Sequence, residues 1–205
     1  HYLLARALDS VGLAEKDVTV VNTSDADMVA VYGTDSVTST VTWNPLLSEI
    51  LSMPGSQKVF DSSQIPGEII DLLVVNSETL KENPKFGKAL VGAWYEIMEK
   101  MSSDDVLTKL ALASGTDLAG FKAQLDSTKM FYKAADAVRF TESAALLETM
   151  KSVAEFSFDH GLLGEGAADA GFIGIQTPSG VFGDESNIKL RFDSSFMSMA
   201  ASGGL

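Results

Sequence analysis

The sequence predicts an α/β protein: two lobes with a short, mostly parallel sheet, and a carboxyl-terminal half rich in helix. Three observations carry that expectation. β-branched runs alternate with apolar-periodic stretches through residues 1–65, in the order αβαβαβ. Beyond Ser77, helical periodicity recurs, with Asp, Ser or Thr at or near the start of most stretches. Two β-branched runs, Val18–Val21 and Val37–Val41, end in the polar clusters Asn22-Thr23-Ser24-Asp25 and Thr42-Trp43-Asn44-Pro45, each of which starts a helix. Strand-to-helix junctions of that kind form the rim of an open sheet, where helix N–H groups are available to small ligands.

Each element follows from its pattern. Tyr2–Leu8 is helical in period, with Leu3, Leu4, Ala7, Leu8 and Val11 on one face and Gly12 as its stop. Asp17–Val21 reads as a strand, Asp25–Tyr32 as a helix and Gly33-Thr34-Asp35 as a turn. Val37–Trp43 alternates as a half-buried strand does, with Val37, Ser39, Val41 and Trp43 on one face. Pro45–Ser52 is a short helix closed by Pro54-Gly55, with Asn44 suited to its cap and Pro45 to its first position. A short strand at Gln57–Phe60 completes this part, and the polar run Asp61–Gly67 connects it to the next.

In the second part, Ile69–Val75 reads as a strand whose apolar end, Leu72–Val75, is buried on both faces. Ser77–Met101 is helical and broken at Asn83-Pro84. Further helices are expected at Asp104–Ala113, Asp117–Asp126, Ala134–Phe140 and Ser143–Phe158, with Lys129–Tyr132 extended. From Gly161 the texture turns to Gly, Ser and Asp, and Phe172–Gln176 with Ile188–Phe192 suggests a hairpin-like appendage before a last short helix. The expected organisation is an α/β lobe at 1–65, a strand plus helices at 66–163, and a Gly-rich tail at 164–205.

Composition narrows the function. With 15 basic against 28 acidic residues the chain carries a formal charge of -13, with a pI near 4.4, so nucleic acid is excluded as a default partner. It contains no Cys, which rules out disulfides, thiolate metal sites and a Cys nucleophile. No apolar run approaches the length of a membrane span, and no signal-peptide pattern is present. A helix that begins uncapped at His1 leads us to expect that the natural sequence continues upstream. Nucleophile-elbow, phosphate-loop and zinc-protease patterns do not occur, and His160, at a helix end, reads as structural. No catalytic residue, metal ligand or cofactor is expected. Trp43 and Asn44 remain open between two roles: core indole and helix cap, or ligand contacts.

Several segments together resemble a known family. His1-Tyr2-Leu3-Leu4 opening a helix, Val41-Thr42-Trp43-Asn44-Pro45, the helix from Asn83-Pro84-Lys85 to Ala93-Trp94, and Phe156–Leu163 occur in the order found in solute-binding proteins of ABC importers. The group is the nitrate/sulfonate/bicarbonate one, whose fold is the type II periplasmic binding fold. Gly67-Glu68-Ile69-Ile70-Asp71 and Lys189–Asp193 extend the likeness to the branch encoded beside urea carboxylases, whose ligands are urea-like or guanidine-like.

That resemblance implies a non-enzymatic, periplasmic binding subunit that captures a small polar nitrogen compound in an interlobe cleft and delivers it to a membrane permease. It implies ligand contacts from His1, Trp43, Asn44, Glu68 and Asp71, no cofactor, a signal peptide and further chain upstream, and a monomer at full length. With no Lys or Arg among those five, a cationic or neutral ligand is expected rather than an oxyanion. A lobe missing its upstream part is expected to expose an apolar face and to self-associate. The rival readings are a small-molecule enzyme, or the ligand-sensing domain of a regulator, on the same scaffold.

Overall fold

Local hydrogen bonding settles most of this chain, because its helices carry their own start and stop signals. A computed structural model describes all 205 residues, and about 51% of them are helical. In chain order the helices are α1 (Tyr2–Asp9), α2 (Asp25–Tyr32), α3 (Leu46–Leu51), α4 (Ser77–Glu82), α5 (Pro84–Lys100), α6 (Asp104–Ala113), α7 (Leu118–Asp126), α8 (Ala134–Thr141), α9 (Ala144–Asp159) and α10 (Ser195–Ala201). Three strands, β1 (Gly174–Thr177), β2 (Gly180–Phe182) and β3 (Ile188–Arg191), lie between α9 and α10. The protein is thus α/β, with a small three-stranded mixed sheet. No helix is long and apolar enough to cross a membrane.

The chain divides into two compact units. One comprises His1–Ile65 and Asp104–Lys129. Here α1 buries Ala5 and Leu8, and Gly12 at φ 74° ends it where the Leu13 N–H bonds back to the Leu8 carbonyl. Helix α2 packs against α3, which buries Ile50. Helices α6 and α7 pack together through Leu107 and Ala111, and Lys122 pairs with Asp104 at 2.7 Å. The Asp117 side chain caps α7 by accepting from the Gly120 N–H at 2.7 Å.

The other unit comprises Pro66–Ser103 and Met130–Leu205. Asn76 caps α4, and Pro84 opens α5 where the sequence breaks the long helical stretch. Ser143 caps α9, which lays Leu146, Met150 and Ala154, spaced four apart, onto Ile175 of β1. Phe140, Phe182, Leu190 and Phe192 close around that cluster. On α5, Gly87 leaves room for the ring of Phe196 from α10.

The sheet departs from expectation. Phe172–Gln176 and Ile188–Phe192 do contain strands, but β1 and β3 run parallel, in the order β2-β1-β3, and the hairpin partner of β1 is β2. Ile175 of β1 belongs to the buried core cluster, and the half-buried Phe182 of β2 and Leu190 of β3 pack against it, so the sheet is joined to the unit's core.

The early parallel sheet is absent. No strand forms at Asp17–Val21, Val37–Trp43, Gln57–Phe60 or Ile69–Val75, and Glu15–Asp17 is instead a single 3-10 turn. Val20, Val21, Val41 and Val59 are exposed, as are Leu72, Leu73 and Val74, which the sequence places in a strand buried on both faces. The reason is non-local. A β-branched run favours extended backbone, but only a neighbouring strand completes its hydrogen bonds, and these segments join no ladder.

Candidate functional site

The corner Thr42-Trp43-Asn44-Pro45 is the most functional-looking feature of the first unit. Trp43 is 58% exposed, which removes the core reading of its indole. Next to it, the Thr42 hydroxyl is buried without a hydrogen-bond partner, a state that costs about 1–3 kcal/mol unless something satisfies it. Asn44 is half-buried, and its Oδ1 accepts from the Ser48 hydroxyl at 2.8 Å, leaving the amide Nδ2 as an outward donor. The Asn44-Pro45 peptide is cis.

Two expectations about this corner need correction. Pro45 is the cap residue of α3 rather than its first helical residue, and the side chain of Asn44 does not cap the helix. The first turn is instead closed by main chain, with the Leu47 N–H donating to the Trp43 carbonyl at 2.9 Å and the Glu49 N–H to the Pro45 carbonyl at 3.2 Å. Nor does the earlier junction offer a side-chain cap: Ser24 donates to Asp27 Oδ2 at 2.6 Å. Neither junction lies at the rim of a sheet.

The remaining candidates are placed as follows. His1 is the exposed cap residue of α1, in the same unit as Trp43, and its carbonyl accepts from the Ala5 N–H at 3.0 Å. Glu68 and Asp71 belong to the second unit: Glu68 is half-buried in the turn at 66–68, and Asp71 is exposed in the irregular stretch that follows. Trp43 and Asn44 are therefore joined in one corner with Thr42, and Glu68 and Asp71 stand on another segment. His160, read as structural, stacks on Phe156 with ring centroids 3.9 Å apart.

Neither of two open clefts on the surface is lined by any of the five candidates. A cleft of about 390 Å³ in the first unit lies between the turns that end α2 and α3, with Tyr32, Asp35, Thr38 and Ser56 on its walls. Its two turns are legible as Gly33-Thr34-Asp35 and Pro54-Gly55, but nothing in a linear sequence tells that they converge. A groove of about 670 Å³ in the second unit runs along α5, with Lys85 and Lys88 toward one end and Glu96 and Glu99 toward the other. Burial raises the Tyr95 phenol above its ordinary pKa there. No group of three or more His, Asp or Glu side chains is placed to hold a metal ion.

Sequence reasoning missed Thr42, because a hydroxyl in an alternating run reads as the solvent face of a strand. Only the buried, unpartnered Oγ1 marks it. Comparison with protein-family models, with curated proteins and with solved structures finds no match to this chain.

Proposed function

We propose that this chain is a ligand-binding module rather than an enzyme: the substrate-capturing part of a periplasmic ABC-importer subunit of the type II binding fold, which passes its ligand to a membrane permease. The ligand is a small polar nitrogen compound, urea-, amide- or guanidine-like. The observation that supports this most is the corner at 42–44, where a buried hydroxyl without a partner, an exposed indole and a half-buried amide follow one another along the chain. An aromatic face flanked by neutral hydrogen-bonding groups suits a planar ligand with several N–H donors, through stacking or cation–π contact together with directional hydrogen bonds. No Lys or Arg lies at positions 42–48 to select an oxyanion.

The test is a thermal-shift and tryptophan-fluorescence screen with urea, guanidinium, acetamide, nitrate and a small sulfonate, each at about 1–10 mM, well below denaturing concentrations. A nitrogen compound is expected to raise the melting temperature and change the Trp43 emission. Replacing Trp43 by Ala then weakens binding about tenfold, whereas Trp94→Phe does not. Stabilisation by the oxyanions alone, or equal affinity in Trp43→Ala, overturns the reading.

A further inference from the structure

We propose that the groove along α5 binds a short free peptide in extended form, about five residues long, with its carboxylate at Lys85 and Lys88 and its ammonium at Glu99. The groove measures about 670 Å³, within the range of sites that take small ligands. Its α5 residues, Lys85, Lys88, Gly92, Tyr95 and Glu99 among them, recur at helical spacing and so form one stripe. The remainder of the lining comes from the segment 200–205, where the Leu205 side chain lies against Gly92.

The charges in this stripe run against the helix. Anions near the start of a helix and cations near its end complement its dipole. Helix α5 has Lys85 and Lys88 near its start, with no acidic residue in its first turn, and Glu96 and Glu99 near its end. Lys100, the one basic residue of the last turn, is taken up by Glu96. Lys85, Lys88 and Glu99 are exposed and enter no ion pair, so no salt bridge within the protein accounts for their placement. A ligand of the opposite polarity does account for it.

The spacing selects the ligand. Lys88 and Glu99 stand about 16 Å apart along the helix axis. The two charges of a single amino acid fall far short of that span, whereas five extended residues cover about 17 Å. A polyamine or a polyanion satisfies one end and is repelled at the other. Between the ends, Ala89, Gly92 and Gly203 leave room for a main chain, and the half-buried Tyr95 adds a hydroxyl to the lining. The groove belongs to the second unit and Trp43 to the first, so this inference does not rest on the ligand reading.

The test is a titration of the nitrogen-15-labelled full chain with pentaalanine, followed by amide NMR, with acetyl-pentaalanine-amide as the control. Shifts are expected to saturate below about 5 mM, to centre on 85–99 and 200–205, and to be the same in Trp43→Ala. Blocking both peptide ends is expected to weaken binding at least about tenfold. Lys85→Gln with Lys88→Gln is expected to lose about tenfold in affinity for free pentaalanine and nothing for its carboxyl-terminal amide, which has no carboxylate to lose. The same double variant is expected to melt no lower than the unmodified chain, because it removes cations from the start of a helix. An absence of saturable shifts below about 5 mM, shifts centred elsewhere, or equal affinity for free and blocked peptide overturns the proposal. A double variant that binds pentaalanine unchanged, or that melts at a lower temperature, overturns it as well.

Discussion

Replacing Leu146 by Ala is expected to destabilise the second unit by about 3 kcal/mol. Leu146 is 1% exposed and is the largest side chain in the protein that is fully buried. It sits on α9 with Met150 and Ala154 and packs against Ile175 of β1. The change deletes three carbons, worth about 0.8 kcal/mol each in transfer, or about 2.4 kcal/mol together. A residual cavity adds to this, because helix and sheet cannot close fully over the gap. The two tryptophans allow each unit to be read alone: Trp94 lies on α5 in the second unit and Trp43 in the first. In a Trp43→Phe background, urea unfolding followed by Trp94 emission should show the midpoint falling by about 1.5–2 M, at a slope of roughly 1.5–2 kcal/mol/M that the substitution leaves unchanged. Val74→Ala, at a position of the same unit that is 75% exposed, should change its stability by less than about 0.5 kcal/mol. A loss below about 1 kcal/mol for Leu146→Ala would mean that α9 and the sheet do not form the unit's core.

Gly183→Ala should cost at least about 3 kcal/mol by the same assay, since Gly183 has φ 82° and an added Cβ would lie 2.2 Å from the Ile173 carbonyl oxygen; a cost under about 1 kcal/mol would show that the turn after β2 is not held in that form. Asp61 should titrate well below the usual carboxylate range, at about 2 rather than 3.8, chiefly through its hydrogen bond with Lys58 and then those from Ser63. Because the folded value is the lower one, the stabilisation is complete above pH 3.8 and is lost as the pH falls through about 2. The pair is partly exposed, so solvent screening limits it to about 1 kcal/mol or less. Carbon-13 NMR of the carboxyl carbons follows the titration, and Lys58→Met should return Asp61 toward 3.8. An Asp61 that titrates near 3.8 in the unmodified protein would refute the pairing.

What was legible in the sequence follows from the range of the forces involved. Helix α2 spans the expected residues, and the break between α4 and α5 falls at Asn83-Pro84, because a helix closes its hydrogen bonds within a turn and its punctuation lies beside it. Strands are completed by partners distant in sequence. Val37–Val41 alternates well enough to read as a strand, yet its ladder is missing, and the parallel pairing of β1 with β3 has no local signature at all. The site shows the same division. Trp43 and Asn44 stood out as residue types at a helix start, but the exposure of the indole and the stranded hydroxyl of Thr42 are tertiary facts. Asn44 was suited to cap α3, and its side chain accepts from Ser48 Oγ instead, a competition between two local bonds that residue type alone does not decide.

The exposed apolar groups at 42–44 and at 70–75 differ in chemical kind, and the difference bears on the proposed ligand reading of the first. At 42–44 the exposed apolar group is one aromatic ring, whose chain neighbours carry a hydroxyl and an amide. Such a mixture orients a small polar molecule and offers little to a protein surface. At 70–75 the exposed groups are aliphatic, in succession, and the polar groups available are almost entirely those of the main chain. Such a mixture offers a small molecule no direction. Ala at Trp43 should therefore weaken nitrogen-compound binding while leaving the urea midpoint that Trp94 reports for the second unit unchanged, and a shift of that midpoint would show that the corner at 42–44 does not act as a ligand contact alone.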